Sequence, residues 1–168
     1  WNIVTGYLDS GGRALGLRIL PDHDARYDQA EEYLELLYKL WEGSWEDGAV
    51  LRDKAARRYA DPARVHRIRH EGRYYRSEGY HLSEPSPQRT PVLFQAGASA
   101  RGQVFAARHA ECVFIAAQEP AAARATVRSL RQAFGDAGRD PADLRILVGL
   151  SVVTAATQAE ALDRYADY

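Results

Sequence analysis

The sequence predicts an α/β fold: a mainly parallel sheet with helices outside it, either doubly wound or closed into a barrel. Three observations carry this. Short apolar runs at Ile3-Val4, 92–96, 112–117 and 144–154 read as buried strands. A helical pattern follows each of the last three, and another lies between the first and second. The turn Gly97-Ala-Ser99 joins a strand directly to a helix start, as a parallel strand feeds its crossover.

Each element has its own signal. Trp1-Asn-Ile-Val-Thr5 reads as a strand already under way. Residues 6–21 hold Gly6, Gly11, Gly12 and Gly16 and read as a long loop, a feature that often carries function. A strong helix follows. Ala30, Tyr33, Leu34, Leu37, Leu40 and Trp41 recur at helical spacing, acidic Asp28, Glu31 and Glu32 occupy its first turn, and Gly43 ends it. Residues 44–88 are polar, rich in Arg and Tyr, and read as an excursion from the main fold, with a hairpin over 66–76 turning at Glu71-Gly72. Pro85, Pro87 and Pro91 keep the approach to the next strand extended. Helices are expected near 100–110, over 120–137 with Pro120 in the first turn, and from Gln158 onward. The run 144–154 reads as a strand interrupted by Gly149.

Composition narrows the function classes. The chain has 168 residues, 46% hydrophobic and 27% charged, with net charge −1, which is ordinary globular composition. Near-zero charge argues against a nucleic-acid binder. No apolar run reaches about 18 residues, so no transmembrane helix and no membrane partner are expected, and no signal peptide is visible. A lone cysteine, Cys112, reads as a small buried hydrophobe and fits a reducing cytoplasm. The chain opens on Trp1 and holds no methionine, which predicts an internal fragment.

Two segments suggest an anion site. Pro91-Val-Leu-Phe-Gln-Ala-Gly-Ala-Ser-Ala-Arg-Gly102 ends a strand in a small-residue turn, with Ser99 as a possible cap. Unpaired N–H groups and the helix dipole at such a terminus attract phosphate, and Gly97 and Gly102 would let a ligand near the backbone. The same turn can equally serve only as a helix cap. In Pro21-Asp-His-Asp-Ala-Arg-Tyr27, His23 and Tyr27 lie four apart and face one side of a first helical turn, with Arg26 as a cation; the alternative is a polar capping segment. His66, His70 and His81 lack further ligands at metal spacing, so no metal is expected. His109 reads as a surface or packing residue. Walker, Rossmann, Gly-x-Ser-x-Gly and Cys-x-x-Cys motifs are absent.

Taken together these segments resemble one flavin monooxygenase family. Trp1-Asn-Ile-Val-Thr5, His23-Asp-Ala-Arg-Tyr-Asp-Gln-Ala-Glu-Glu-Tyr33, Leu40-Trp-Glu-Gly-Ser-Trp45, Asp61-Pro-x-x-Val-His66, His70-Glu-Gly-Arg-Tyr74, Pro91-Val-Leu-Phe-Gln-Ala-Gly-Ala-Ser99 and Ala107-x-x-Ala-Glu-x-Val-Phe114 are similar, in order, to motifs of the nitrilotriacetate / dibenzothiophene-sulfone monooxygenase group. That group lies within the bacterial luciferase-like superfamily, and the resemblance runs from Trp1 to about Ala161.

The resemblance implies a (β/α)8 TIM barrel, here a partial one, in which 1–168 is the central fragment of a single domain and 44–88 an insertion. It implies a cytoplasmic two-component enzyme: an NAD(P)H:FMN reductase supplies reduced FMN (FMNH2), and one atom of O2 is inserted into a small organic substrate. It also implies a homo-oligomer for the full-length protein. The flavin contacts would fall on His23 and Tyr27, on Ser99 with the Gly97–Ala98 backbone, on Asn2 and Thr5, and on Arg26 as phosphate partner. Catalytic residues are not identified. Two departures stand out: Gly6 where the family often has serine, and Gly12-Arg-Ala-Leu-Gly16 in place of an Arg-Asn-Phe-Gly run. Alternatives remain, namely a non-catalytic flavin-binding or structural relative of the same fold, or a phosphosugar or nucleotide enzyme using the same phosphate site.

Overall fold

The structure is a computed structural model describing residues 1–97, 99–117 and 119–168. Its centre is a four-stranded sheet of β1 (Asn2–Ile3), β6 (Phe94–Gln95), β7 (Cys112–Ala116) and β8 (Arg145–Gly149), in that spatial order. Every pairing in it is parallel, with Ile3 beside Gln95, Gln95 beside Val113 and Val113 beside Ile146. The four strands are thus parallel neighbours in chain order.

Register decides which side chains meet the helices, because successive residues of a strand face opposite sides. The row Ile3–Gln95–Val113–Ile146 faces α2 (His23–Gly43), α3 (Ala100–His109) and α4 (Pro120–Asp136). On that side Ile3, Tyr27, Leu34, Leu93 and Phe105 form one buried cluster. Ala106, Ala107, Val113, Ile115, Leu130 and Phe134 belong to a second. The opposite face carries Phe94, stacked on Phe114 with centroids 5.7 Å apart, and the part-exposed Leu147. Helices packed on one face only are the arrangement of a barrel segment, not of a doubly wound sheet.

Several elements differ from the expectation. The glycine-rich segment 6–21 holds a short helix, α1 (Asp9–Ala14). Its two internal glycines hide the helical periodicity, and Gly16, at φ +82°, ends it in the left-handed region. Gly12 is buried there against Leu20. Helix α2 starts earlier than its acidic residues suggest, with His23 and Tyr27 in its first two turns. Its buried stripe is Tyr27, Ala30, Leu34 and Leu37, while Tyr33 and Trp41 turn aside to pack edge-on against Trp1. Residues 150–153 are not strand. Strand β7 stops at Ala116, opposite Gly149, so Leu150 and Val152 have no ladder to join and stay 77% exposed. Helix α5 (Gln158–Ala166) closes the described chain, capped by Thr157 accepting from the Glu160 amide.

The excursion 44–88 holds two hairpins, not one. Strands β4 (Ile68–Glu71) and β5 (Arg76–Gly79) form an antiparallel pair as expected, but Glu71 pairs with Arg76, so the connection is 72–75 and the second strand runs beyond the expected 66–76. The unexpected pair is β2 (Val50–Asp53) with β3 (Arg58–Ala60). Its turn uses Arg57 at φ +53° in place of a glycine, so no turn signal marks it in sequence. Helix α2 anchors the excursion. The Glu32 carboxylate accepts the Tyr74 and Tyr75 amides at 2.7–3.0 Å, and Ser44 Oγ, fully buried, accepts the His81 amide at 2.9 Å. Burial works to raise the Glu32 carboxyl, but these amides and the His70 ring outweigh it and hold it below the usual carboxylate range.

Cys112 heads β7 as expected, and burial followed by the Glu111 charge pushes its thiol up, away from a reactive thiolate. Among the described residues no helix is long and apolar enough to cross a membrane.

Phe134 is completely buried at the centre of the α3–α4–β7 cluster, under the guanidinium of Arg139 at 4.5 Å. Phe134→Ala is expected to destabilise the protein by about 3–5 kcal/mol, measured by urea unfolding.

Candidate functional site

The strand ends and helix starts converge at one end of the sheet. Thr5 to Tyr7 follow β1, Gln95 to Gly97 end β6, and His23, Arg26 and Tyr27 open α2. All of these line one cavity of about 190 Å³. Ligands in such folds bind at the carboxyl ends of the strands, which is where this cavity lies.

Tyr27 is its centre. The ring is buried between Phe105, 5.4 Å away, and His23, 5.1 Å away. Its hydroxyl reaches the turn after β6, where it accepts from Gln95 Nε2 at 3.2 Å. A Cβ on Gly97 would stand 2.4 Å from that hydroxyl, and one on Gly102 2.7 Å. The two glycines therefore make room for Tyr27 itself. Close approach is required here, but by a side chain of α2.

Ser99 caps α3, its Oγ accepting the Gly102 amide at 3.1 Å. The same oxygen lies 3.2 Å from His23 Nε2, and His23 Nδ1 lies 2.6 Å from Asp24 Oδ1. With Nδ1–H given to Asp24, Nε2 accepts the Ser99 hydroxyl proton. Ser99 and Tyr27 thus meet, although 72 positions separate them in sequence: both oxygens fall within 3.1 Å of the space a Gly102 Cβ would take.

Arg26 donates from Nη1 to the Pro21 carbonyl at 2.5 Å. Its Nε is buried with no partner among the described residues. A buried guanidinium N–H without an acceptor is costly unless a ligand supplies one. Asn2 is exposed on the sheet's helix-free face, away from the cavity lining. Ala98 lies outside the described residues.

Two residues that hold this geometry escape sequence reasoning. Gln95 is 3% exposed and accepts the Gly97 amide on Oε1 at 2.7 Å, so that amide is engaged. Its signal is positional, a polar residue in a register row otherwise apolar. Glu31 ties α2 to α3. It receives His109 Nε2 at 2.6 Å, Arg101 at 3.2 Å and Arg108 at 3.3 Å, while Arg101 also reaches Asp28 at 3.0 Å. His109 is thus a packing residue, its other nitrogen 3.1 Å from the Tyr38 hydroxyl. Burial works to raise the Glu31 carboxyl, yet His109 and the arginines outweigh it and hold it below the usual range.

The three histidines of the excursion have ordinary partners. His66 meets Glu46 at 2.6 Å, His70 lies between Glu32 and Lys39 at 3.2 Å each, and His81 Nδ1 meets the Ser83 carbonyl at 3.1 Å. Among the described residues no group of three His, Cys, Asp or Glu side chains is placed to hold a metal.

The family model for luciferase-like monooxygenases matches residues 1–168. The chain is 47% identical over 164 residues to a long-chain alkane monooxygenase of Geobacillus thermodenitrificans, covering 98% of this chain and 37% of that protein. It is 46% identical over 168 residues to a dimethyl-sulfide monooxygenase of Hyphomicrobium sulfonivorans, covering all of this chain and 35% of the other. The fold is similar to the crystal structure of a riboflavin lyase with modified FMN and its substrate riboflavin. There the TM-score is 0.90 and the identity 46%, over 99% of this chain and 37% of that one. The chain thus spans a little over a third of the length of these relatives.

Two outcomes follow from the geometry. Gly97→Ala, whose Cβ would collide with the Tyr27 hydroxyl and the Gln95 amide, is expected to cost about 1–3 kcal/mol in urea unfolding and to displace the Tyr27 ring in a crystal structure. The Glu31 contribution is present in full above the ordinary carboxylate pKa and is lost as pH falls through its lowered folded value. Acidification below the ordinary carboxylate range is therefore expected to lower amide protection factors (observed exchange relative to the intrinsic rate at each pH) at the start of α3, and Glu31→Gln should blunt that pH dependence.

Proposed function

The chain belongs to the luciferase-like monooxygenase family, and from that premise we propose that it forms the phosphate-holding part of an FMN-dependent monooxygenase. The full-length protein would take reduced FMN from a separate NAD(P)H-dependent flavin reductase and insert one oxygen atom from O2 into a small organic substrate. The observation that carries this is the convergence of His23, Arg26 and Tyr27 on one cavity at the start of α2, with Ser99 at the start of α3 hydrogen-bonded to His23 beside it.

The residues fit a phosphate monoester. Arg26 brings a fixed positive charge and a buried Nε–H without a partner among the described residues. The starts of α2 and α3 add partial positive charge on the same side. Tyr27 brings a hydroxyl to the cavity, and the Ser99 hydroxyl, bonded to His23, stands beside it. Reduced FMN, when bound, supplies the electrons and the carbon framework on which O2 is activated.

The protein's own part is to bind, orient and exclude water. Holding the phosphate between α2 and α3 fixes one end of the ligand against rigid elements. Ile3 and Val4 give the cavity an apolar wall. An apolar cradle of Leu8, Leu15, Leu17 and Leu20 shares Val4 to Tyr7 with that wall, which suits an organic substrate of low polarity. The same reading makes 1–168 one segment of a single barrel domain, with 44–88 as an excursion pinned to α2.

The test is anaerobic titration of the full-length protein with reduced FMN. Aspartate caps a helix as well as serine does, so Ser99→Asp should keep the fold and place a carboxylate against the phosphate. Affinity is expected to fall on the order of a hundredfold, since like charges at a partly buried site repel strongly. Ser99→Ala should cost about 1 kcal/mol of binding. Equal affinity in wild type and Ser99→Asp would reduce the turn to a helix cap and remove the support for this function.

A further inference from the structure

We infer that Gln95 is a positioning residue which sets the direction of the Tyr27 hydroxyl proton, so that Tyr27 acts as a hydrogen-bond donor toward the ligand phosphate. This rests on the FMN reading of the cavity.

The side-chain amide of Gln95 has two chemically different ends. The Gly97 N–H can only donate, and it lies 2.7 Å from one end of that amide, which must therefore be Oε1. The other end is then Nε2, a donor, and it points at the Tyr27 oxygen 3.2 Å away. Tyr27 accepts there. Its own O–H proton cannot also point toward Gln95, and among the described residues it meets no acceptor.

Gln95 has no freedom to reverse this. It is 3% exposed, fixed by strand register between Ile3 and Val113, and packed under the α2–α3 contact. The Tyr27 ring is equally constrained at 4% exposure, wedged against Phe105. Both partners therefore stay where they are whether or not a ligand is present. The donor faces the cavity in advance, and no side chain need reorder when an anion arrives. Pre-orientation of this kind raises affinity by lowering the cost of binding. The Gly97 amide accounts for one end of the buried glutamine, and the Tyr27 oxygen is the partner of the other.

The experiment compares FMN with riboflavin, which lacks the phosphate, on the full-length protein. Four forms are titrated: wild type, Gln95→Leu, Tyr27→Phe and the double variant. Gln95→Leu is expected to weaken FMN about tenfold, the scale of one hydrogen bond to a charged group, and to leave riboflavin unchanged. In the Tyr27→Phe background it should cause no further loss. Should Gln95→Leu fail to fold, Gln95→Glu keeps the Gly97 acceptor and draws the Tyr27 proton inward, and the same phosphate-specific loss, absent in the Tyr27→Phe background, is expected. Equal losses for FMN and riboflavin, or losses that add across the two positions, would make Gln95 a packing residue and overturn the inference. Wild-type protein that fails to prefer FMN to riboflavin would instead overturn the functional reading beneath it.

Discussion

The position of α2 relative to α3 is the constraint on which the site depends. Neither helix alone makes the site: His23, Arg26 and Tyr27 of one line the cavity, and Ser99 and Gly102 at the start of the other stand against His23 and the Tyr27 hydroxyl. What fixes the pair is a half-buried Glu31 held by His109, Arg101 and Arg108, with Tyr27 packed on Phe105 nearby. An ion cluster of this kind adds little net stability, because desolvation offsets much of the attraction. Its effect is geometric. One carboxylate with three cationic or ring donors tolerates little sliding of one helix along the other, and the hydroxyls of Tyr27 and Ser99 inherit that precision.

The main chain path was legible because it rests on local pattern. Val113 and Ile115 alternate with exposed positions, Pro120 opens a helix, and Ser99 stands where a cap belongs. The site was legible only in part. His23 and Tyr27 could be grouped by their spacing of four, yet the partner segment lies some 70 residues on, and only the resemblance to known motifs linked the two. Gln95 could not be found, since its importance comes from being opposite Ile3 and Val113, and register is a relation between distant residues. The same limit hid the β2–β3 hairpin, where an arginine in the left-handed region does what glycine usually does, and the end of β8, which stops because its neighbour stops.

Gly97 and Gly102 illustrate how a correct observation can carry the wrong cause. Their smallness matters, as expected, but the group that comes close is the Tyr27 phenol, and the nearby Gly97 amide is already engaged by Gln95. In the proposed phosphate site the donors would be side chains of α2 and the cap of α3, backed by the two helix termini.

Ser99 has a double attachment, to the Gly102 amide within its own helix and to His23 on another. Helix α3 also supplies Phe105 to one core cluster and Ala106 and Ala107 to the other. The first turn of α3 is therefore mechanically continuous with the whole helix-facing interior. Any anion held there in the folded chain and not in the unfolded one shifts the folding equilibrium by mass action. Occupancy of a small surface cavity and resistance of the entire core to heat become a single thermodynamic quantity, so that ligand saturation can be read as a rise in melting temperature.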